Sequence, residues 1–155
     1  MTHSRTNPWQ SYRKVATQTA SPGQLVLMLY DGAIGFLDKG LAGFDLEDPL
    51  ERNLTINNNV LRAQAIINEM SATLNMEAGG EVSANFRRLY DYLDRRLQEG
   101  NVKKRRQLIE EAAGRLHVLR DSWAEMMKQQ SGDSPALAAA HLTMPAGARP
   151  EAAAA

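Results

Sequence analysis

The chain has 155 residues, enough for one domain with a buried core, and its 18 basic residues balance 18 acidic ones. This balance gives no bulk electrostatic attraction to nucleic acid or to an anionic membrane. The absence of cysteine excludes disulfides and thiolate metal sites and fits a reducing cytosol. Because no apolar run reaches the length of a membrane span and no signal peptide is visible, we expect a soluble, cytoplasmic protein without membrane insertion.

Residues 1–20 are predicted to form a flexible N-terminal segment. They are mostly polar, yet Trp9, Tyr12 and either Val15 or Ala16 fall at helical spacing. A segment this short is not a stable helix by itself, but its apolar face could lie on an apolar surface. A disordered leader and a segment that caps a groove are both compatible with this pattern.

The first predicted helix begins at Ser21. Pro22 is favourable at a first helical position, and Gln24 is placed to complete a capping box with Ser21. At about 100° per residue, the apolar side chains from Leu25 to Leu41 span an arc of about 200°, roughly twice what one core needs. The excess must be covered, either by the rest of the chain or by a partner.

A second helix is predicted over residues 50–74, and its apolar side chains form two stripes. The first stripe contains Leu50, Leu54, Leu61, Ala65 and Ala72, and the second contains Ile56, Val60, Ala63, Ile67, Met70 and Leu74. One stripe can face a core while the other meets a second contact. The run at 57–59 is three asparagines, whose amides could either bond to a neighbouring helix or bind the backbone of a partner.

Two further helices are predicted, over residues 82–99 and 102–130. A turn containing Gly79-Gly80 precedes the third helix, and Gly100-Asn101 is expected to end it. The basic run 103–106 would then fall in the first turn of the fourth helix, where the helix dipole disfavours positive charge. Four periodic helices joined by short loops predict an all-α, antiparallel, up-and-down four-helix bundle over 21–130. Residues 131–155 hold little bulky apolar material and are predicted to be a disordered tail.

No motif in the chain supports catalysis. None of the histidines, His3, His117 and His141, follows a glutamate by three residues, as a di-iron bundle would require. Phosphate-binding and nucleophile-elbow motifs are also missing. We therefore expect no enzymatic activity, no metal and no cofactor. Nearby acidic residues balance the basic run 103–106, which argues against nucleic-acid binding.

Several motifs occur in an order that resembles the FliS family, the flagellar export chaperones for flagellin. These motifs are Tyr12, Thr19-Ala20-Ser21-Pro22, the helix-one segment 25–34, Asn57-Asn58, the segment 62–67, Gly79-Gly80-Glu81, the segment 89–93, Arg96-Leu97 and the segment 119–123. Together they cover about residues 12–127, and the combined pattern is highly specific. Gly100 and Gly114 depart from it, because helix-favouring residues are common there.

This resemblance implies a cytoplasmic, non-enzymatic chaperone with a four-helix bundle. Such proteins bind the C-terminal segment of flagellin, prevent premature polymerisation and deliver it to the membrane export gate of the flagellar type III system. We predict an apolar groove in which asparagines set the register and the segment around Tyr12 lies until cargo displaces it. The predicted partner-binding residues are Tyr12, Leu27, Tyr30, Ile34, Ile56, Asn57, Asn58, Val60, Ala63, Ile67, Leu89, Tyr92, Leu93 and Leu97. Two alternatives remain, a homodimer without a flagellin client and a regulatory or nucleic-acid binder that uses the basic run.

Overall fold

A computed structural model describes residues 21–129 and, ahead of them, Gln10. The predicted N-terminal segment, apart from Gln10, and the predicted tail lie outside the described residues. Within that part the chain forms helices α1 (Pro22–Gly43), α2 (Pro49–Ala72), α3 (Met76–Lys103) and α4 (Arg106–Gln129).

Polar side chains begin three of these helices. The hydroxyl of Ser21 accepts from the amide of Gln24 at 3.2 Å, and the Gln24 side chain accepts from the Ser21 amide at 3.0 Å, so the predicted capping box is confirmed. Asp48 begins α2 by accepting from the first-turn amide of Glu51 at 2.8 Å, and Asn75 caps α3 in the same way. Each cap satisfies an amide that the helix itself leaves without a partner.

The four helices pack as a square in chain order. Each helix packs against the next one, and α1 also packs against α4. At one end the indole Nε1–H of Trp123 donates to the carbonyl of Gly23 at 2.8 Å, joining the start of α1 to the end of α4. At the other end Arg106 pairs with Asp45 at 3.2 Å, which joins the start of α4 to the loop after α1. Neighbouring helices are therefore antiparallel, and the predicted all-α four-helix bundle is confirmed.

A pair of tyrosines crosses the centre of the bundle diagonally. The hydroxyl oxygens of Tyr30 on α1 and Tyr90 on α3 lie 2.6 Å apart, and both side chains are buried. Burial raises the pKa of both phenols, because the charged phenolate is poorly solvated there. This hydrogen bond supplies a polar partner for each hydroxyl within an otherwise apolar layer.

The boundaries of α3 differ from the prediction. Its first turn begins at Met76, and Gly80 interrupts it with φ 51° and ψ −126°, so the predicted turn is a kink between helical residues. Gly100 does not end the helix, which continues to Lys103. An added Cβ at Gly100 would lie 2.8 Å from Cγ1 of Ile109, so glycine serves close packing here and not termination.

The basic run also sits differently from the prediction. Lys103 ends α3, Lys104 adopts the left-handed region with φ 50°, and α4 begins only at Arg106. Two of the four residues, Lys104 and Arg105, therefore form the turn between the helices, and only Arg106 stands in the first turn of α4. The predicted conflict with the dipole of α4 is largely removed, and Lys103 lies at the C-terminal end of α3, where positive charge is favourable.

Candidate partner-binding surface

The predicted partner-binding residues separate into buried and accessible groups. The buried group is Tyr30, Ile34, Ile56, Val60, Ala63, Ile67, Leu93 and Leu97. Leu27, Asn57, Leu89 and Tyr92 are half-buried and Asn58 is exposed, while Tyr12 lies outside the described residues. A binding role for these residues stays a prediction. Burial means that the first group can shape the bundle but is not presented at its surface.

The stripe of α2 that the sequence analysis assigned to the groove lies in the core, and the other stripe is exposed. Ile56, Val60 and the rest of the second stripe, assigned to the groove from the sequence, pack in the core. The leucines of the first stripe face solvent instead, and Leu50 is 68% exposed. The second stripe has a member in every turn from 56 to 74, whereas the first has gaps, and this was the available signal for the core.

The asparagine run at 57–59 divides between structural and accessible roles. Asn101 on α3 donates to the side-chain oxygen of Asn57 at 3.0 Å and accepts from Lys104 at 2.6 Å. Asn59 donates to the carbonyl of Thr55 within α2 at 2.8 Å. Asn58 is exposed, so it is the member of the run that could meet a partner. Partial burial lowers the pKa of the Lys104 ammonium, because desolvation disfavours its charge.

A second amide contact fixes α2 against α3. The side-chain nitrogen of Gln64 donates to the backbone oxygen of Asp94 at 3.3 Å and to its carboxylate at 3.1 Å, and Asn68 donates to the same carboxylate at 3.2 Å. Because both Asp94 oxygens are hydrogen-bond acceptors, the Gln64 amide is oriented with its nitrogen towards them. Its Oε1 is buried and has no hydrogen-bond partner within the described part of the chain. The contact holds α2 in one register on α3.

Tyr92 is the centre of a charged cluster between α3 and α4. Its hydroxyl donates to Glu111 at 2.6 Å and accepts from Arg96 Nε at 3.0 Å. The guanidinium carbons of Arg96 and Arg115 lie 5.3 and 5.2 Å from the ring centroid, within cation–π distance. The bond from Tyr92, followed by the nearby arginines, lowers the pKa of Glu111. Sequence reasoning treated this mixed-charge face as solvated and did not detect the cluster, since its members come from two helices.

A row of half-buried apolar side chains continues from Tyr92 along the seam between α3 and α4. We call it the α3–α4 strip; its members are Val82, Phe86, Leu89 and Tyr92 on α3 and Leu119 and Met126 on α4. Helical spacing places the α3 members on the same side of α3 as Tyr92, and the α4 members on the same side of α4 as Glu111. All of them therefore lie along the contact between the two helices. The strip is therefore an apolar surface that the bundle covers only in part.

Within residues 21–129, no helix is long and apolar enough to cross a membrane, and no group of three or more His, Cys, Asp or Glu is placed to hold a metal ion. Fold and surface together define a helical bundle with apolar side chains left at its surface, the architecture of a protein that acts through interactions.

The chain is similar to known proteins over most of its length. The family model described as Flagellar protein FliS matches residues 5–130. A flagellar secretion chaperone FliS of Bacillus subtilis is 35% identical over 127 residues, covering 82% of this chain and 91% of the relative. The Salmonella typhimurium protein of the same name is 33% identical over 116 residues, covering 75% and 84%. The Vibrio cholerae one is 28% identical over 122 residues, covering 76% and 86%. The chain therefore belongs to the FliS family of flagellar secretion chaperones.

Proposed function

We propose that this chain is a cytoplasmic, non-enzymatic chaperone that binds the C-terminal segment of flagellin, prevents its premature polymerisation and delivers it to the export gate of the flagellar type III system. The observation that carries the proposal is family membership over residues 5–130, with relatives named flagellar secretion chaperones. We include the flagellin segment and the export gate in the proposal because the sequence resembles the FliS family.

The α3–α4 strip is the surface that we propose for the client. A disordered amphipathic segment can fold into a helix against such a surface, and the ordering cost keeps the complex releasable. Leu89 and Tyr92 belong to both the strip and the predicted set. The Tyr92 hydroxyl and the arginines stacked on its ring add polar groups at one end of the strip, which could pair with acidic client side chains.

The remaining predicted residues have indirect or separate roles in this proposal. The buried group shapes the helices that carry the strip. Leu27 and Asn58 lie on α1 and α2 and would meet only a client that wraps around the bundle. The segment around Tyr12 is proposed to cap the client surface until cargo displaces it. Deleting residues 1–18 should then tighten client binding or raise the binding of an apolar dye, and unchanged values in both assays would exclude the cap.

The first test is calorimetry of the full chain with the C-terminal segment of flagellin from the same organism, paired with far-UV circular dichroism. We expect stoichiometric binding and a gain of helix. Leu89→Ala should weaken binding by about tenfold, since anchor truncations typically cost 1–2 kcal/mol. Val118→Ala is the matched control, because Val118 is an apolar residue of α4 that is 66% exposed and outside the strip.

Urea unfolding of both variants must accompany the titration, so that a loss of fold is not taken for a loss of contact. Absence of binding and of helix gain with well-folded protein would refute the flagellin assignment. Binding that Leu89→Ala and Val118→Ala leave equally strong would preserve the client and refute the α3–α4 strip as its site. Ile67→Asp is unsuitable for this purpose, because Ile67 is fully buried and a charge there would unfold the bundle.

A further inference from the structure

The α3–α4 strip begins at the end of the bundle where α4 ends. Neighbouring helices are antiparallel, so Val82 near the start of α3 and Met126 near the end of α4 lie at the same end. Met126 is three residues, about 4.5 Å of helix, before Gln129, where α4 ends. The leucines exposed on α2 lie instead on the helix diagonal to α4. Of these two apolar surfaces, the strip is the one next to the point at which the chain leaves the bundle.

The sequence beyond α4 contains a second helix-start signal. Ser134-Pro135 repeats the Ser21-Pro22 pair that begins α1. Pro145 limits the segment at its other end, since proline is unfavourable inside a helix. We call residues 134–144 the tail segment; they lie outside the described residues. A helix this short needs a surface to pack on, because it is not stable by itself in water.

The bulky apolar side chains of the tail segment would share one side of such a helix. At about 100° per residue they fall within an arc of about 160°, and the opposite side holds only alanine and threonine. These side chains are Leu137, Leu142 and Met144. The segment contains no Asp, Glu, Lys or Arg, so burying it against an apolar surface removes no formal charge from water.

The strip and the tail segment also match in length. Ten residues of α3 separate Val82 from Tyr92, which makes the strip about 15 Å long, and a helix of eleven residues is about 16 Å long. The linker 130–133 spans up to about 17 Å when extended, and Gly132 permits a sharp reversal of the chain. The linker is therefore long enough to turn the tail segment back onto the seam between α3 and α4.

We propose that the tail segment folds back as a helix onto the α3–α4 strip and shields it until a client displaces it. A short linker holds the segment near the strip at an effective concentration of about 1 mM. With a dissociation constant of about 0.1 mM for the strip, the segment would occupy it about nine-tenths of the time and weaken client binding about tenfold. The tail segment lies beyond residues 5–130, which the family model matches. The displacement by a client rests on the proposed function, whereas the docking does not.

Paramagnetic relaxation enhancement in the full chain tests the docking without any client. The chain has no cysteine, so Ala139→Cys provides a single site for a nitroxide label, on the side of the tail segment away from the strip. We expect the amide signals of residues 82–92 to broaden and those of residues 50–61 on α2 to stay sharp. Adding Leu137→Ser and Leu142→Ser should restore the signals. Equal effects on both helices, or broadening that survives the serine substitutions, would overturn the docking.

Calorimetry with the C-terminal segment of flagellin tests the shielding. The full chain with Leu137→Ser and Leu142→Ser should bind the client about tenfold more tightly than the unchanged chain. Ala139→Ser with Ala140→Ser is the matched control on the opposite side and should leave the affinity unchanged. All three chains keep residues 1–20, so a cap by the segment around Tyr12 acts equally in each.

The two measurements separate the inference from the proposed function. Equal client affinity of the three chains would overturn the shielding, even where relaxation shows the tail segment on the strip. Absence of flagellin binding in every chain would refute the proposed function, while broadening confined to residues 82–92 would still support the docking. Client binding without that broadening would preserve the proposed function and overturn the docking.

Discussion

Replacing Gly100 by alanine is expected to destabilise the bundle although it improves helix propensity. Gly100 lies inside α3 and faces α4, where the new Cβ would approach Ile109 Cγ1 to 2.8 Å, Leu108 Cβ to 3.2 Å and the Arg105 carbonyl oxygen to 3.3 Å. None of these atoms is the free end of a flexible side chain. Relief would require α4 to move away from α3 at the turn that joins them.

The expected magnitude follows from two opposing terms. Alanine in place of glycine in a helix interior contributes about 1 kcal/mol of stability. Overpacking against atoms that cannot move aside costs typically 1–3 kcal/mol. We take the upper value of about 3 kcal/mol here, because one of the contacted atoms is a backbone carbonyl oxygen. The net loss is therefore about 2 kcal/mol, which lowers the melting temperature of a domain this size by about 8 °C.

Gly114→Ala is the matched control. Gly114 lies in α4, is exposed, and an added Cβ would meet no atom within 4 Å. Only the propensity term applies, so this variant should be stabilised by up to about 1 kcal/mol. Urea unfolding monitored at 222 nm by circular dichroism measures both variants. A Gly100→Ala protein as stable as Gly114→Ala would refute the close contact between α3 and α4.

Three further outcomes are expected. Burial raises the pKa of Tyr30 and Tyr90, so these tyrosines ionise in the unfolded chain at a lower pH than in the folded one. The free energy of unfolding should therefore be constant with respect to these groups below pH about 10. Above that pH it should fall by up to about 1.4 kcal/mol per pH unit for each phenol. Urea unfolding between pH 9 and 11 measures this, and Tyr30→Phe should make the fall shallower. Gly80→Ala should lose about 1–3 kcal/mol in thermal unfolding through backbone strain alone, because φ 51° with ψ −126° is a conformation that favours glycine and no atom lies within 4 Å of the added Cβ. Glu111→Gln should lower the stability only slightly and only at low salt, since its ion pairs are partly exposed and screened by salt; a salt-independent loss would contradict this.

Local signals were sufficient for the start of α1. The sequence Ser21-Pro22 with Gln24 three residues after the cap predicts the hydrogen bonds that the structure contains. All the interacting groups lie within one turn, so no distant residue is needed to specify them. The helical periodicities likewise predict an all-α bundle, because a continuous apolar face has to be buried somewhere.

Local signals failed at Gly100. Gly-Asn is a common helix ending, but a glycine is also the residue that permits two helices to approach closely. Ile109, nine residues further along the chain, occupies the space that a side chain at position 100 would need. A contact with the following helix therefore outweighs the local stop signal, and the reversal occurs at Lys104 instead.

The sequence by itself determined the helical class, the cap at Ser21, the existence of two apolar faces on α2, and the family resemblance. The tertiary structure decided which face of α2 is buried, because α1 and α3 pack against the stripe that contains Ile56 and leave Leu54 exposed. The unbroken spacing of that stripe was the signal available in the sequence. The tertiary structure also assembled the Tyr92 cluster and the Tyr30–Tyr90 pair from separate helices. The helical periodicity of apolar residues indicates how much apolar surface must be buried, whereas the tertiary packing determines which residues bury it.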